Sequence, residues 1–175
     1  MVIDVKRILL DTNIYGKIIE QNDLDFVLEN IAKSGIIVYG CDVIAKELRK
    51  VSKDKVTISG GKKKRLRNLI LGLYHALVKK SLIVTDETYE IANLYYATYK
   101  KLGGATSEEK LFTDFVIVAL ASRNNLDIVY SADTETMLSY LSLKTYDIVN
   151  TIRKIRTPNF KKYGDFKNEI KMWCA

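Results

Sequence analysis

The sequence is poor in the side chains that bind metals through sulfur or imidazole, and it has no long apolar run. Its 175 residues include only two cysteines, one histidine and one proline. Cys41 and Cys174 stand far apart, without metal-ligand or redox spacing. This argues against a zinc site or disulfide framework and points to a reducing, cytoplasmic setting. A lone His75 cannot supply a two-histidine acid–base pair, and no serine or cysteine nucleophile is placed to use it. The longest uninterrupted apolar stretch, Phe115–Ala121, is too short to span a bilayer. The first ten residues carry Asp4, Lys6 and Arg7 and do not read as a leader. No membrane association is expected. Repeats, low-complexity tracts and linkers are also lacking. With 47% hydrophobic and 28% charged residues, the chain reads as one globular domain over 1–175, not as a disordered one.

What the chain does have is charge, unevenly spread. The formal net charge is +7. Between Lys46 and Arg67 there are ten basic residues against Glu47 and Asp54, whereas the remainder holds eighteen basic and nineteen acidic residues. Nearly all the surplus therefore sits in one segment, with Lys62, Lys63, Lys64, Arg65 and Arg67 at its dense end. Such a cluster suits a polyanion, although a charge run is also what an ordinary solvated face looks like.

Short apolar, β-branched runs alternate with amphipathic stretches, the pattern of an α/β domain around a parallel sheet. The expected strands are Arg7–Asp11, Ile36–Gly40, Leu82–Thr85, Asp127–Ser131 and Tyr146–Val149. The expected helices are Leu24–Lys33, Val43–Ser52, Lys62–Lys80, Thr88–Leu102, Phe112–Asn124 and Glu135–Leu141, with Gly35, Gly60-Gly61, Gly103-Gly104 and Asn124-Asn125 as breaks. This makes 43–80 a basic helical segment and leaves a short tail, including Pro158, from about residue 153. In the helix from Lys62, Leu66, Leu69, Ile70, Leu73 and Leu77 share one face and His75 falls opposite, on the surface.

Four acids stand out by position. Asp11 ends the first strand and Asp133 follows the fourth by two residues, so both arrive at the carboxyl end of a parallel sheet, where open α/β folds bind ligands. Glu47 lies one turn into the helix after the second strand, and Asp114 sits near the start of an otherwise apolar helix. Each has an ordinary explanation: a helix cap for Asp11 or Asp133, the helix dipole for Asp114, pairing with Lys46, Arg49 or Lys50 for Glu47. Together they mean more. Gathered carboxylates repel unless a cation holds them, and hard ions such as Mg2+ or Mn2+ prefer carboxylate oxygens. An acidic pocket with a basic flank suits phosphodiester hydrolysis.

Other chemistries fit less well. A dinucleotide enzyme needs a glycine-rich turn after the first strand, and Asp11-Thr12-Asn13-Ile14-Tyr15-Gly16 offers one glycine. A phosphatase of the haloacid-dehalogenase type needs a second acid where Asn13 stands.

The order Leu9-Leu10-Asp11-Thr12-Asn13, Ile44-Ala45-Lys46-Glu47, Thr113-Asp114-Phe115 through Ala121, and Ile128-Val129-Tyr130-Ser131-Ala132-Asp133 resembles the PIN-domain nucleases. It is closest to small prokaryotic stand-alone members, many of them VapC-type toxins. The resemblance implies a three-layer α/β/α fold with a parallel five-stranded sheet in the order 3-2-1-4-5. It also implies Mg2+- or Mn2+-dependent cleavage of single-stranded RNA. Metal binding would fall to Asp11, Glu47, Asp114 and Asp133, with Glu135 as a further candidate, while Thr12, Asn13 and Ser131 would support the acids by hydrogen bonding. Ser131 replaces a commoner threonine and keeps its hydroxyl. An antitoxin partner and a homodimer are implied by the same resemblance. An rRNA-processing nuclease and a non-catalytic PIN-like RNA-binding or assembly module remain open alternatives.

Overall fold

The computed structural model describes residues 5–174. Residues 1–4, Ala175 and the side chains of Trp173 and Cys174 lie outside that description, and with them part of the leader and cysteine readings. Strand β1 (Lys6–Leu10) pairs in parallel with β2 (Ile36–Cys41) on one side and with β6 (Ile128–Tyr130) on the other. β5 (Val78–Leu82) extends the sheet beyond β2, and β7 (Asn159–Lys161) extends it beyond β6. The sheet order is β5-β2-β1-β6-β7, all parallel. A separate two-stranded hairpin, β3 (Val56–Ser59) and β4 (Lys62–Arg65), interrupts the sequence count. With the hairpin set aside, the order is the expected 3-2-1-4-5.

From β1 the chain steps outward one way through α1 (Thr12–Glu20), α2 (Leu24–Ile31), β2, α3 (Asp42–Arg49), α4 (Leu66–Leu77) and β5. It then returns through α5 (Asp86–Lys101) and α6 (Glu108–Arg123) to β6, and through α7 (Tyr140–Arg153) to β7, ending in α8 (Tyr163–Cys174). Right-handed crossovers in opposite directions put the two helix groups on opposite faces of the sheet. α5 packs on α6 and α7, while α4 packs on α1, α2 and α3. β1 and β6 are where the direction of winding reverses, and the crevice beyond their carboxyl ends is the ligand position of such folds. α6 is the central helix: Leu111 and every residue from Phe115 to Ser122 are buried, as a helix enclosed on all sides requires.

Four expectations are corrected. Lys62–Arg65 is not the first turn of a helix but strand β4, and α4 starts only at Leu66. Gly60 and Gly61, at φ of 57° and 73°, form the two-residue turn with positive φ at both positions that suits a hairpin. Tyr146–Val149 lies inside α7, where buried Ser142, Thr145, Tyr146, Val149 and Asn150 follow helical spacing. The fifth strand is instead β7, so the supposed tail is an edge strand plus a packed helix. Glu135–Leu141 is mostly a turn, and α7 begins only after Ser139, whose hydroxyl accepts from the Ser142 amide. The third strand runs from Val78, not Leu82. Its exposed Lys79, Lys80 and Ser81 mark a polar edge, which an apolar run cannot reveal.

α8 is docked by two charged clusters. Glu169, almost fully buried, contacts Lys6, Lys161 and the Tyr130 hydroxyl. Asp23 accepts from the Tyr163 hydroxyl at 2.6 Å and pairs with Lys167 at 2.8 Å.

Candidate active site

The winding reversal between β1 and β6 decides where Asp11 sits. β1 ends at Leu10, and the Asp11 amide donates to the Tyr130 carbonyl at 2.9 Å, carrying the ladder one step further. The Asp11 side chain then turns back to cap α1: Oδ1 accepts from the Thr12 amide at 2.7 Å. Its other oxygen, Oδ2, accepts from Asn13 Nδ2 at 2.6 Å and from the Ser131 hydroxyl at 2.7 Å. Asn13 Oδ1 in turn accepts from the Ala132 amide at 2.8 Å, stitching the first strand end to the fourth. Thr12, Asn13 and Ser131 thus all donate to the Asp11 carboxyl. Asp11 is 2% exposed, and burial raises its pKa against these hydrogen bonds.

Asp133 lies on the loop after β6. Its Oδ1 accepts from the amides of Glu135 at 2.9 Å and Thr136 at 2.8 Å, closing a tight turn. Its own amide donates to Ser131 Oγ at 3.0 Å, so Ser131 links Asp11 to Asp133. Asp114 comes from α6. That helix starts at Glu108, earlier than its apolar stretch suggests, so Asp114 stands in the second turn and is not explained by the first-turn dipole. Burial pushes its carboxyl up to about 7, and the charges of Asp11, Asp133 and Glu47 add to the rise. All three other acids are therefore close enough to be felt at Asp114.

Glu47 is placed on α3 as expected, but its side chain is paired with Lys50, one of the ordinary partners considered for it. Glu135 is exposed, and its contact with the cluster is through its backbone amide. Among the described residues, no three acidic, imidazole or thiol side chains are arranged to enclose a metal ion. The donor set itself, carboxyl oxygens of Asp114 with Asp11, Asp133 and Glu47 near enough to raise its pKa, has the hard-oxygen chemistry a divalent cation prefers.

Thr136 is the residue that sequence reasoning missed. Its Oγ1 lies 2.6 Å from Asp114 Oδ2 and also contacts Asp133 Oδ2. The Thr136 hydroxyl donates toward both oxygens, so its single proton is shared between two acceptors on different elements. Its only sequence signal was a threonine three residues after an acid, which reads as a turn.

The basic hairpin stands beside these acids. A groove of about 280 Å³ is lined by Thr12, Asn13, Glu47, Lys55 and Leu66, among others. A second groove, between α1 and the hairpin, shares Asn13, Lys55 and Leu66 with it and continues to Val56 and Thr57. Lys62, Lys63, Lys64 and Arg65 are all exposed, and among the described residues none of them forms an ion pair. Arg67 is half-buried on α4, and His75 is exposed, as its position opposite the leucine stripe predicts.

Fold and site together define an α/β protein whose acids converge at the winding reversal of a five-stranded parallel sheet. The family model for the PIN domain matches residues 8–139, most of the chain and all four acids. The protein belongs to the PIN-domain family. No curated protein sequence matches it. Among solved structures it is similar to VapBC2 from Rickettsia felis bound to a DNA fragment from its promoter, at 12% identity and a TM-score of 0.52, covering 89% of this chain and 98% of that one. FitAB bound to the IR36 DNA fragment (13% identity, 89% and 94% covered, TM-score 0.48) and FitAcB from Neisseria gonorrhoeae (19%, 77% and 92%, 0.44) are more distant in shape. At such identities the likeness is one of fold. No helix among the described residues is long and apolar enough to cross a membrane.

Proposed function

We propose that the protein is a Mg2+- or Mn2+-dependent endoribonuclease that cleaves single-stranded RNA and acts as the toxin of a toxin–antitoxin pair in the cytoplasm. The observation that carries this reading is the meeting of Asp11, Asp133 and the half-buried Asp114, bridged by Ser131 and Thr136, with Glu47 near enough to raise the Asp114 pKa. Membership of the PIN-domain family supports it, and so does the exposed basic hairpin beside the groove. The toxin role draws on the likeness in fold to a toxin–antitoxin complex and is the outermost part of the proposal.

Asp11, Glu47, Asp114 and Asp133 would hold the ion, with Glu135 at the periphery. A divalent ion held there would neutralise phosphate charge and activate water for attack. The chain's own residues do the rest. Asn13 and Ser131 keep Asp11 from rotating, since both donate to the same oxygen. Asp114, whose pKa burial raises, would be held as the carboxylate by a cation at this site. Glu47, paired with Lys50, would have to exchange that partner for the cation to join the set. Lys62, Lys63, Lys64, Arg65 and Arg67 hold the flanking strand by its phosphates, an interaction that selects no sequence.

The absence of a closed three-acid cage among the described residues favours a second reading, a non-catalytic PIN-like module that binds RNA through the hairpin alone. Cleavage of a labelled single-stranded RNA in Mn2+ separates the two. The nuclease reading expects products with 5′-phosphate and 3′-hydroxyl ends, and no cleavage in EDTA or by Asp11→Asn plus Asp133→Asn. Activity that persists in EDTA, or in the double variant, would overturn it. Binding without cleavage at millimolar Mn2+ would select the module.

A further inference from the structure

Asp114 and Asp133 belong to different elements, α6 and the loop after β6, and their meeting needs a connection that the main chain does not make. Asp11 reaches Asp133 through Ser131, but Ser131 makes no such link to Asp114. Thr136 makes it. Its hydroxyl touches Oδ2 of both acids, so those oxygens stand no more than about 5 Å apart, joined through a single atom. The threonine is itself pinned, because its amide donates to Asp133 Oδ1 at 2.8 Å and its β-branched side chain has few rotamers. Asp133 thus has one oxygen committed to the backbone of the turn and the other to the hydroxyl of the same residue.

We propose that Thr136 is a positioning residue of the acid site: its hydroxyl fixes the spacing and mutual facing of Asp114 and Asp133 and presents them as a pair to a divalent cation. This rests on the metal-dependent reading above. The physical argument is preorganisation. Two carboxylates this close repel, and with no donor between them each turns toward other partners. A cation must then reorder both side chains as it binds, and that cost appears as weaker affinity. Partners that orient metal-binding side chains in this way typically change metal affinity by about 10–100-fold when removed.

Thr136→Val removes the hydroxyl at nearly constant shape and leaves the backbone amide in place, whereas Thr136→Ser keeps the hydroxyl. Mn2+ binding is titrated calorimetrically on the full chain without RNA, and the Mn2+ concentration giving half-maximal cleavage is measured alongside. The valine variant is expected to need about 10-fold more Mn2+ in both assays, and the serine variant to stay within about 3-fold of wild type. The melting temperature in EDTA should barely move, and Thr136→Ala gives the same comparison should valine lower it. Equal Mn2+ affinity in the valine and wild-type proteins overturns the proposal and leaves the nuclease reading standing. Serine binding as weakly as valine also overturns it, since the hydroxyl would then be irrelevant. Failure of the wild-type protein to bind Mn2+ removes both at once.

Discussion

The acid site and the basic hairpin are neighbours built on opposite rules. Asp11 is buried, and its two oxygens are held by donors on three residues. Lys62, Lys63, Lys64 and Arg65 are exposed, on a two-stranded element outside the main sheet, and unpaired among the described residues. Buried charge is strong because it is little screened, and it must be positioned closely or it destabilises the fold. Exposed cations are weak singly and screened by salt, but they can follow a flexible polyanion without a fixed geometry. One region suits chemistry at a point, the other suits holding a length of chain. The difference also predicts that the two can be broken separately.

The largest effect should come from Asp114→Asn. Cleavage is expected to fall by on the order of 10²–10³-fold, measured at saturating Mn2+. The same variant should be more stable than wild type when no metal is bound. The Asp114 carboxyl titrates at about 7 in the folded protein against an ordinary 3.8, so the folded state holds more protons between those values. Wild-type stability from this group is therefore full below about pH 4 and is lost as the pH rises through about 7. The loss is on the order of 4 kcal/mol, because each unit of pKa is worth about 1.4 kcal/mol. Calorimetry in EDTA should show Asp114→Asn melting several degrees above wild type at pH 8 and close to it at pH 4. A wild-type protein that is the more stable of the two at pH 8 would contradict the burial argument.

Changing Lys62, Lys63, Lys64 and Arg65 to glutamine should act on binding alone. RNA affinity should drop, and the logarithmic salt slope should flatten by roughly 0.7 for each phosphate no longer neutralised. Melting temperature should stay the same, since these residues are solvated in the fold. An unchanged slope, read from binding at two salt concentrations, would make the run an ordinary solvated face. The smallest effect is expected for Glu135→Gln. Its side chain is exposed and its amide remains, so kcat should change by less than about 3-fold.

The acids are legible in the sequence because each sits where a strand ends or a helix turns inward, and such positions depend on local apolar pattern. Their ordinary readings are legible for the same reason, and two hold in the fold: Asp11 caps α1, and Glu47 pairs with Lys50. A cap and a candidate metal-binding acid are not exclusive, since a carboxylate has more lone pairs than the cap uses. The hairpin is not legible as such. Gly60-Gly61 reads as a break and is in fact a turn, because the run of lysines after it carries no alternation of apolar and polar residues to betray a strand. The edge strands β5 and β7 are obscured similarly. An edge position needs fewer apolar residues, so Lys79, Lys80 and Ser81 can stand in a strand that no hydrophobic run announces.

By itself the sequence determined the α/β class, the central strands, the buried helix α6 and the order of the four acids, because periodicity and burial are written residue by residue. Only the tertiary structure decided that Tyr146–Val149 is helix, that the chain's end supplies the fifth strand, and that Thr136 joins Asp114 to Asp133. Those outcomes depend on which surfaces meet across the fold. A residue's neighbours in space, unlike its neighbours in sequence, are set only once the sheet has chosen its order.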